Sequence, residues 1–166
     1  MTFEDFITTF KINLKKRGGT RYAVLSTFGI DYPKSRHVVL RSFKEDRIHI
    51  YTHSLSSKIE ELSANSKCNL CWYSDRHRIQ LTFYGEGKIL ETSASEKIQQ
   101  ELSDLRDYQG IKPGSDFILD NTEEIHFAVI EFKIHKLIAL KLDSSQHEKY
   151  VYSFNDKDIK EKRVIP

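Results

Sequence analysis

The chain has 166 residues, about the length of one globular domain, and 26 basic against 24 acidic side chains leave a net charge of only +2. A balance so close to neutrality excludes bulk attraction to nucleic acid or to an anionic membrane, so any charge argument must be local. The longest apolar runs, around Ala23 to Leu25, His37 to Leu40 and Leu137 to Leu140, fall far short of the roughly 20 residues that cross a bilayer.

Apolar residues at 3, 6, 7, 10 and 14 recur at helical spacing, Thr2 with Asp5 makes a capping box, and Gly18-Gly19 ends the pattern. An amphipathic first helix is predicted. The opening Met1-Thr2-Phe3-Glu4-Asp5 lacks the basic and apolar segments of an export signal, so a cytoplasmic location is expected. From Arg21 the texture changes to short runs rich in Val, Ile, Tyr, Phe and Thr, which read as strands. They fall near 21–28, 35–43, 47–52, 67–74, 77–91, 125–133, 136–143 and 149–154. The turn signals between them, Gly29 to Pro33, Lys44-Glu45-Asp46 and Ser74-Asp75-Arg76, are hairpin-sized. Two helices interrupt the strands. One is short and opens at Ser56-Ser57, with Ser57 and Glu60 as its capping box and Ile59 and Leu62 inward. The other runs from about Ser95 to Tyr108, with Ile98, Leu102 and Leu105 as its stripe and Gly110 as its stop. The chain is therefore expected to be mainly β, one domain over 1–166, with an antiparallel barrel of six to eight strands and flanking helices, since a closed barrel hides sheet edges best.

Charge is uneven along the chain. Residues 34–58 carry six basic groups against two acids, whereas residues 91–126 carry nine acids against three bases. A small anion is drawn to the first region. On a strand, Arg36, Val38 and Leu40 share one face while His37, Val39 and Arg41 share the other. Lys58 falls in the first turn of the short helix, where a cation meets the positive end of the backbone dipole. A phosphate would resolve that conflict, held by helix amides, the hydroxyls of Ser56 and Ser57, and charge-assisted bonds from Arg36 and Lys58.

Other constellations fail. Cys68 and Cys71 have redox-pair spacing, but positions i and i+3 of a strand face opposite sides about 10 Å apart, beyond the roughly 7 Å a disulfide spans. The seven histidines show no metal-ligand spacing, so no metal is expected, and His49 and His53, on one strand face, are expected in solvent. Gly85-x-Gly87 lacks the context of a phosphate loop.

Taken in order, Arg36, Val38, Leu40 and Arg41, then Tyr51-Thr52, then Ser56-Ser57-Lys58, then Gln80, with Arg163-Val164-Ile165-Pro166 at the end, the sequence resembles the pyridoxamine 5'-phosphate oxidase-like FMN-binding split barrels. The resemblance is good over about 20–91 and loose over 125–166. It implies FMN at the interface of a homodimer. Arg36, Ser56, Ser57 and Lys58 would bind its phosphate; backbone around His37, Val38, Val39, Leu40 and Arg41, with Tyr51 and Thr52, would line the ring and ribityl chain; Gln80 would reach it from the partner subunit. Arg41, His147 and Lys149 are the candidates for a small, anionic substrate. The activity implied is a flavin oxidoreductase passing electrons to oxygen or another acceptor, the alternative being a non-catalytic flavin- or haem-binding barrel.

The chain also departs from that pattern. Ser57 stands where the oxidase has an arginine, the Tyr-x3-Arg-x3-Ser signature that grips the substrate phosphate is missing over 92–120, and Ser145-Gln146-His147-Glu148-Lys149 loses the first arginine of the family's Arg-x-His-x-Arg. Pyridoxamine 5'-phosphate itself is therefore not the expected substrate.

Overall fold

The structure is a computed structural model in which residues 1–91, 93, 94, 97, 127–143, 146–155 and 158–164 are described. Helix α1 (Phe3–Lys15) starts at the predicted capping box: Thr2 Oγ1 accepts from the Asp5 amide at 3.2 Å and Asp5 Oδ2 accepts from the Thr2 amide at 2.8 Å. Its apolar stripe, Phe6, Ile7, Phe10 and Leu14, is buried.

Strands β1 (Tyr22–Phe28), β2 (Pro33–Lys44) and β3 (Arg47–His53) follow as hairpins. Helix α2 (Ser57–Ala64) intervenes before β4 (Lys67–Ser74) and β5 (Ile79–Ile89). The chain closes with β6 (Phe127–Lys141), β7 (Glu148–Asn155) and β8 (Asp158–Val164). The sheet order is β3-β2-β1-β4-β5-β6-β7-β8, and a further pairing of β3 with β6 closes six strands into an antiparallel barrel. Strands β7 and β8 extend the sheet beyond it. The mainly β barrel with flanking helices expected from the sequence is the fold observed.

The strand alternation fills the barrel. Ala23, Leu25, Leu40, Ile48, Ile50, Leu70, Trp72, Leu81 and Phe83 point inward and are buried. Helix α1 covers this core: the Phe10 ring lies 5.2 Å from Trp72, 5.1 Å from Phe83 and 5.6 Å from Phe43. The Trp72 indole donates to the Thr20 carbonyl at 2.9 Å, so its polar atom is satisfied.

Three expectations are corrected. The runs 125–133 and 136–143 are one strand, β6, because the break in alternation at His135 is a bulge and not a turn: the register with β5 steps from Tyr84↔Lys136 to Gly85↔Ile134. Gly85 is what permits this approach, since a Cβ there would lie 1.9 Å from the Lys133 carbonyl oxygen. Strand β8 was not foreseen; its charged sequence Asp-Ile-Lys-Glu-Lys-Arg-Val has no apolar alternation. The Ser57 and Glu60 capping box does not form either, because Ser56 is the N-cap of α2 and makes no side-chain cap bond. The helix expected over 95–108 and the missing-signature segment 92–120 lie outside the described residues, three positions excepted.

Candidate functional site

Strand β3 delivers Thr52 inward at its end, 6% exposed, and four residues later the chain enters α2. Lys58 turns back over this junction. Its ammonium donates to Thr52 Oγ1 at 2.8 Å and to Ser56 Oγ at 3.0 Å, and those two hydroxyls stand 3.2 Å apart. Ser56 thus serves the lysine instead of capping α2 with its side chain. Burial pushes the Lys58 pKa down, the nearby positive Arg36 pushes it further, and Glu61 opposes both. A half-buried ammonium whose hydrogen-bond partners among the described residues are neutral hydroxyls is an anion site in waiting.

Arg36 belongs to the same cluster. On β2 it precedes the buried Val38 and Leu40 on the inward face. Its guanidinium donates through Nη1 to Thr27 Oγ1 of β1 and through Nη2 to the Glu61 carboxylate of α2. Glu61 is 8% exposed and also receives the Thr27 hydroxyl, with Lys34 Nζ 3.3 Å away. Burial alone would raise the Glu61 pKa, but the bonds from Thr27, Arg36 and Lys34 outweigh it and hold the carboxyl at about 2. Three cations and one carboxylate leave the cluster electropositive.

The structure therefore gathers Arg36, Thr52, Ser56 and Lys58, with Ser57 exposed at the first position of α2. Val38 and Leu40 are core residues whose contribution to a ligand could only be backbone, whereas His37 is exposed and Val39 half-buried on the outer face. Arg41 sits at the bulge of β2 against β3, its guanidinium carbon 5.6 Å from the centre of the Tyr51 ring, which meets Phe127 edge-on at 5.1 Å. The remaining candidates are not brought together within one chain. Gln80 lies on the outer face of β5, donating to Thr82 at 3.4 Å. Lys149 shares a row with it, through Leu140, about 10 Å away by strand spacing. His147 is exposed and accepts from the Asp143 amide at 3.3 Å. Arg41 and Lys149 stand on strands that are not neighbours.

Sequence reasoning missed Thr27 and Glu61. The available signal for Glu61 was its position one turn after Lys58 on the same helix face. It also misplaced His49, which is not in solvent: its side chain is 14% exposed, with Nδ1 2.7 Å from Ser42 Oγ and Nε2 3.2 Å from Glu131, itself bonded to Arg47. Cys68 and Cys71 are both free, as their spacing predicted, with Cys68 buried inward and pushed up to about 12 by burial. No group of three or more metal-ligating side chains occurs among the described residues.

A six-stranded antiparallel barrel carrying a cation and hydroxyl cradle at the mouth of a short helix outlines a class of protein suited to holding a phosphate ester against a sheet. The family model for the pyridoxamine 5'-phosphate oxidase FMN-binding domain matches residues 3–91, and the chain belongs to that family. A curated relative, pyridoxine/pyridoxamine 5'-phosphate oxidase 2 of Arabidopsis thaliana, is 37% identical over 84 residues, 48% of this chain and 42% of that protein. The chain thus matches less than half of the relative's length. Among solved structures, a pyridoxamine 5'-phosphate oxidase-related FMN-binding protein of Nostoc punctiforme has a TM-score of 0.75 at 19% identity, covering 100% of this chain and 99% of its own. PhzG of Burkholderia lata, solved with tetrahydrophenazine-1-carboxylic acid, has a TM-score of 0.73 at 18% identity over 98% of this chain and 90% of its own. These two likenesses concern the fold.

The donor set fits the ester end of FMN. A dianionic phosphate needs charged donors and hydroxyls converging on one point, and Lys58, Ser56 and Thr52 supply them at the start of α2, whose N-cap side chain makes no cap bond.

Proposed function

We propose that the chain binds FMN as one of two copies in a homodimer and works as a flavin-dependent oxidoreductase on a small anionic substrate, with oxygen or another acceptor taking the electrons. The observation that carries this reading is the Lys58 ammonium held by neutral hydroxyls beside Arg36 at the start of α2. Lys58 and Arg36, with Ser56, Ser57 and Thr52, hold the ester, and the β2 backbone from Val38 to Leu40 is the wall along which a flat ring can lie. When bound, FMN supplies the hydride and electron chemistry, which no side chain can perform. Arg41, stacked on Tyr51, offers a fixed positive charge to an anionic substrate. His147 and Lys149 complete such a site in this proposal from a different part of the fold.

The dimer is supported by the outer face of the barrel. Val24, Cys71, Thr82, Ile138 and Val151 form one continuous row across five strands, all half-buried and mostly apolar. Tyr22 and Tyr73 beside it are 59% and 42% exposed. A second copy seated there would bring its Gln80 toward the flavin of the first.

The test is an absorption spectrum of the purified protein loaded with FMN, followed by the variants Lys58→Ala and Arg36→Ala/Lys58→Ala. The wild type is expected to retain flavin bands after desalting. Each lost charge-assisted contact should cost about 1.5–3 kcal/mol, so the single variant should retain flavin poorly and the double variant none. Full flavin content in the double variant overturns the assignment, and a Soret band in place of flavin bands would support the haem-binding alternative. Pyridoxamine 5'-phosphate is expected not to bleach the bound flavin, given the departures over 92–120 and at 145–149.

A further inference from the structure

We propose that Glu61 is a built-in competitor for Arg36: in the flavin-free protein its carboxylate occupies the place on the guanidinium that the phosphate ester takes on binding. This inference rests on the FMN reading above. Both terminal nitrogens of Arg36 are engaged, Nη1 with Thr27 and the Lys34 carbonyl and Nη2 with Glu61. Lys58, by contrast, has only hydroxyls for partners among the described residues. An incoming phosphate therefore finds the lysine side of the cradle facing only neutral hydroxyls and the arginine side already paired with a carboxylate. Glu61 is well suited to filling it. Its side chain is 7% exposed, it is anchored on α2 one turn beyond Lys58, and it is held by Lys34, Arg36 and Thr27 together.

The competition has a physical purpose. Without an anion, Lys34, Arg36 and Lys58 would be three cations crowded around the α2 entrance, two of them partly buried, and like charges in that setting repel. The carboxylate offsets this while the cofactor is absent. Once a phosphate arrives, the same carboxylate becomes an unfavourable like charge, and Lys34, 52% exposed, is the partner it can keep as Arg36 turns to the ester.

A permanent brace would behave in the opposite way. If Glu61 only positioned Arg36, removing its charge would loosen the guanidinium and weaken FMN binding. Glu61→Gln keeps the shape and an acceptor oxygen but removes the charge, so the two accounts predict shifts of opposite sign.

The experiment is a titration of the full chain with FMN and, separately, with riboflavin, read by quenching of flavin fluorescence. For E61Q the FMN dissociation constant is expected to fall about tenfold, the size of one charge-assisted hydrogen bond, while that for riboflavin, which lacks the ester, stays unchanged. Glu86→Gln, the same charge change at an exposed strand position, should alter neither. Circular dichroism checks folding, and if E61Q does not fold, Glu61→Asp, which retracts the carboxylate by one methylene, should shift FMN binding in the same direction. An unchanged or weaker FMN affinity, or an equal change for riboflavin, overturns the competition while leaving the FMN reading intact. Absence of FMN quenching in the wild type overturns both.

Discussion

At Lys58 the ammonium donates to two hydroxyls, whereas at Arg36 the guanidinium donates to a hydroxyl and a carboxylate. Such differences in partner were beyond the sequence, which joined the two cations in one expected phosphate cradle without showing what each would bond. The closeness of Ser56 and Lys58 was legible because they sit at one helix start, whereas Thr52, expected along the ring and ribityl chain, instead accepts from the Lys58 ammonium. Glu61 and Thr27 were not legible, since their part depends on side chains meeting across β1, β2 and α2. The pair has a measurable signature in acid. The Glu61 carboxyl sits at about 2 in the folded chain against an ordinary 4.5, so its stabilisation is complete above about 4.5 and is lost as pH falls from there toward 2. Thermal melts of the flavin-free protein should therefore fall over this window, and fall less steeply in E61Q; identical pH slopes would show that the pair contributes nothing.

Elements followed the sequence where local signals were strong. Helix α1 began where its capping box said it would, and the β1 to β3 hairpins lay between the predicted turns. The sequence misled at β6, where an inserted residue shifts the inward face by one and imitates a turn. The true arrangement is a 15-residue strand whose first half closes the barrel on β3 and whose second half pairs with β7. Gly85 is the hinge of that arrangement. Gly85→Val places a side chain where the Lys133 carbonyl stands, and the forced shift of β6 should destabilise the fold by about 1–3 kcal/mol or more. Urea unfolding measures it, and a midpoint equal to the wild type would mean that β5 and β6 can separate there without loss.

Across the whole molecule, the antiparallel barrel was legible because its hairpins are local, while the closing contact of β3 with β6 joins segments almost eighty residues apart and left no trace in any short window. Packing at the centre converges on Phe10, fully buried among Phe43, Trp72 and Phe83. Truncation by Phe10→Ala should cost about 3–5 kcal/mol, a large share of the roughly 5–15 kcal/mol that holds a domain of this size. Its urea midpoint should drop sharply, and a small change would show that α1 is an accessory to the barrel and not part of its core.

The last strand, β8, pairs with β7 and, among the described residues, with no other strand. Unsatisfied main-chain groups along such a border invite other chains to add themselves, and Lys160, Glu161, Lys162 and Arg163, all exposed, set a hydrated, charged fringe against that invitation. Neutralising those four adjacent surface residues is therefore expected to make the protein stick to itself along this border.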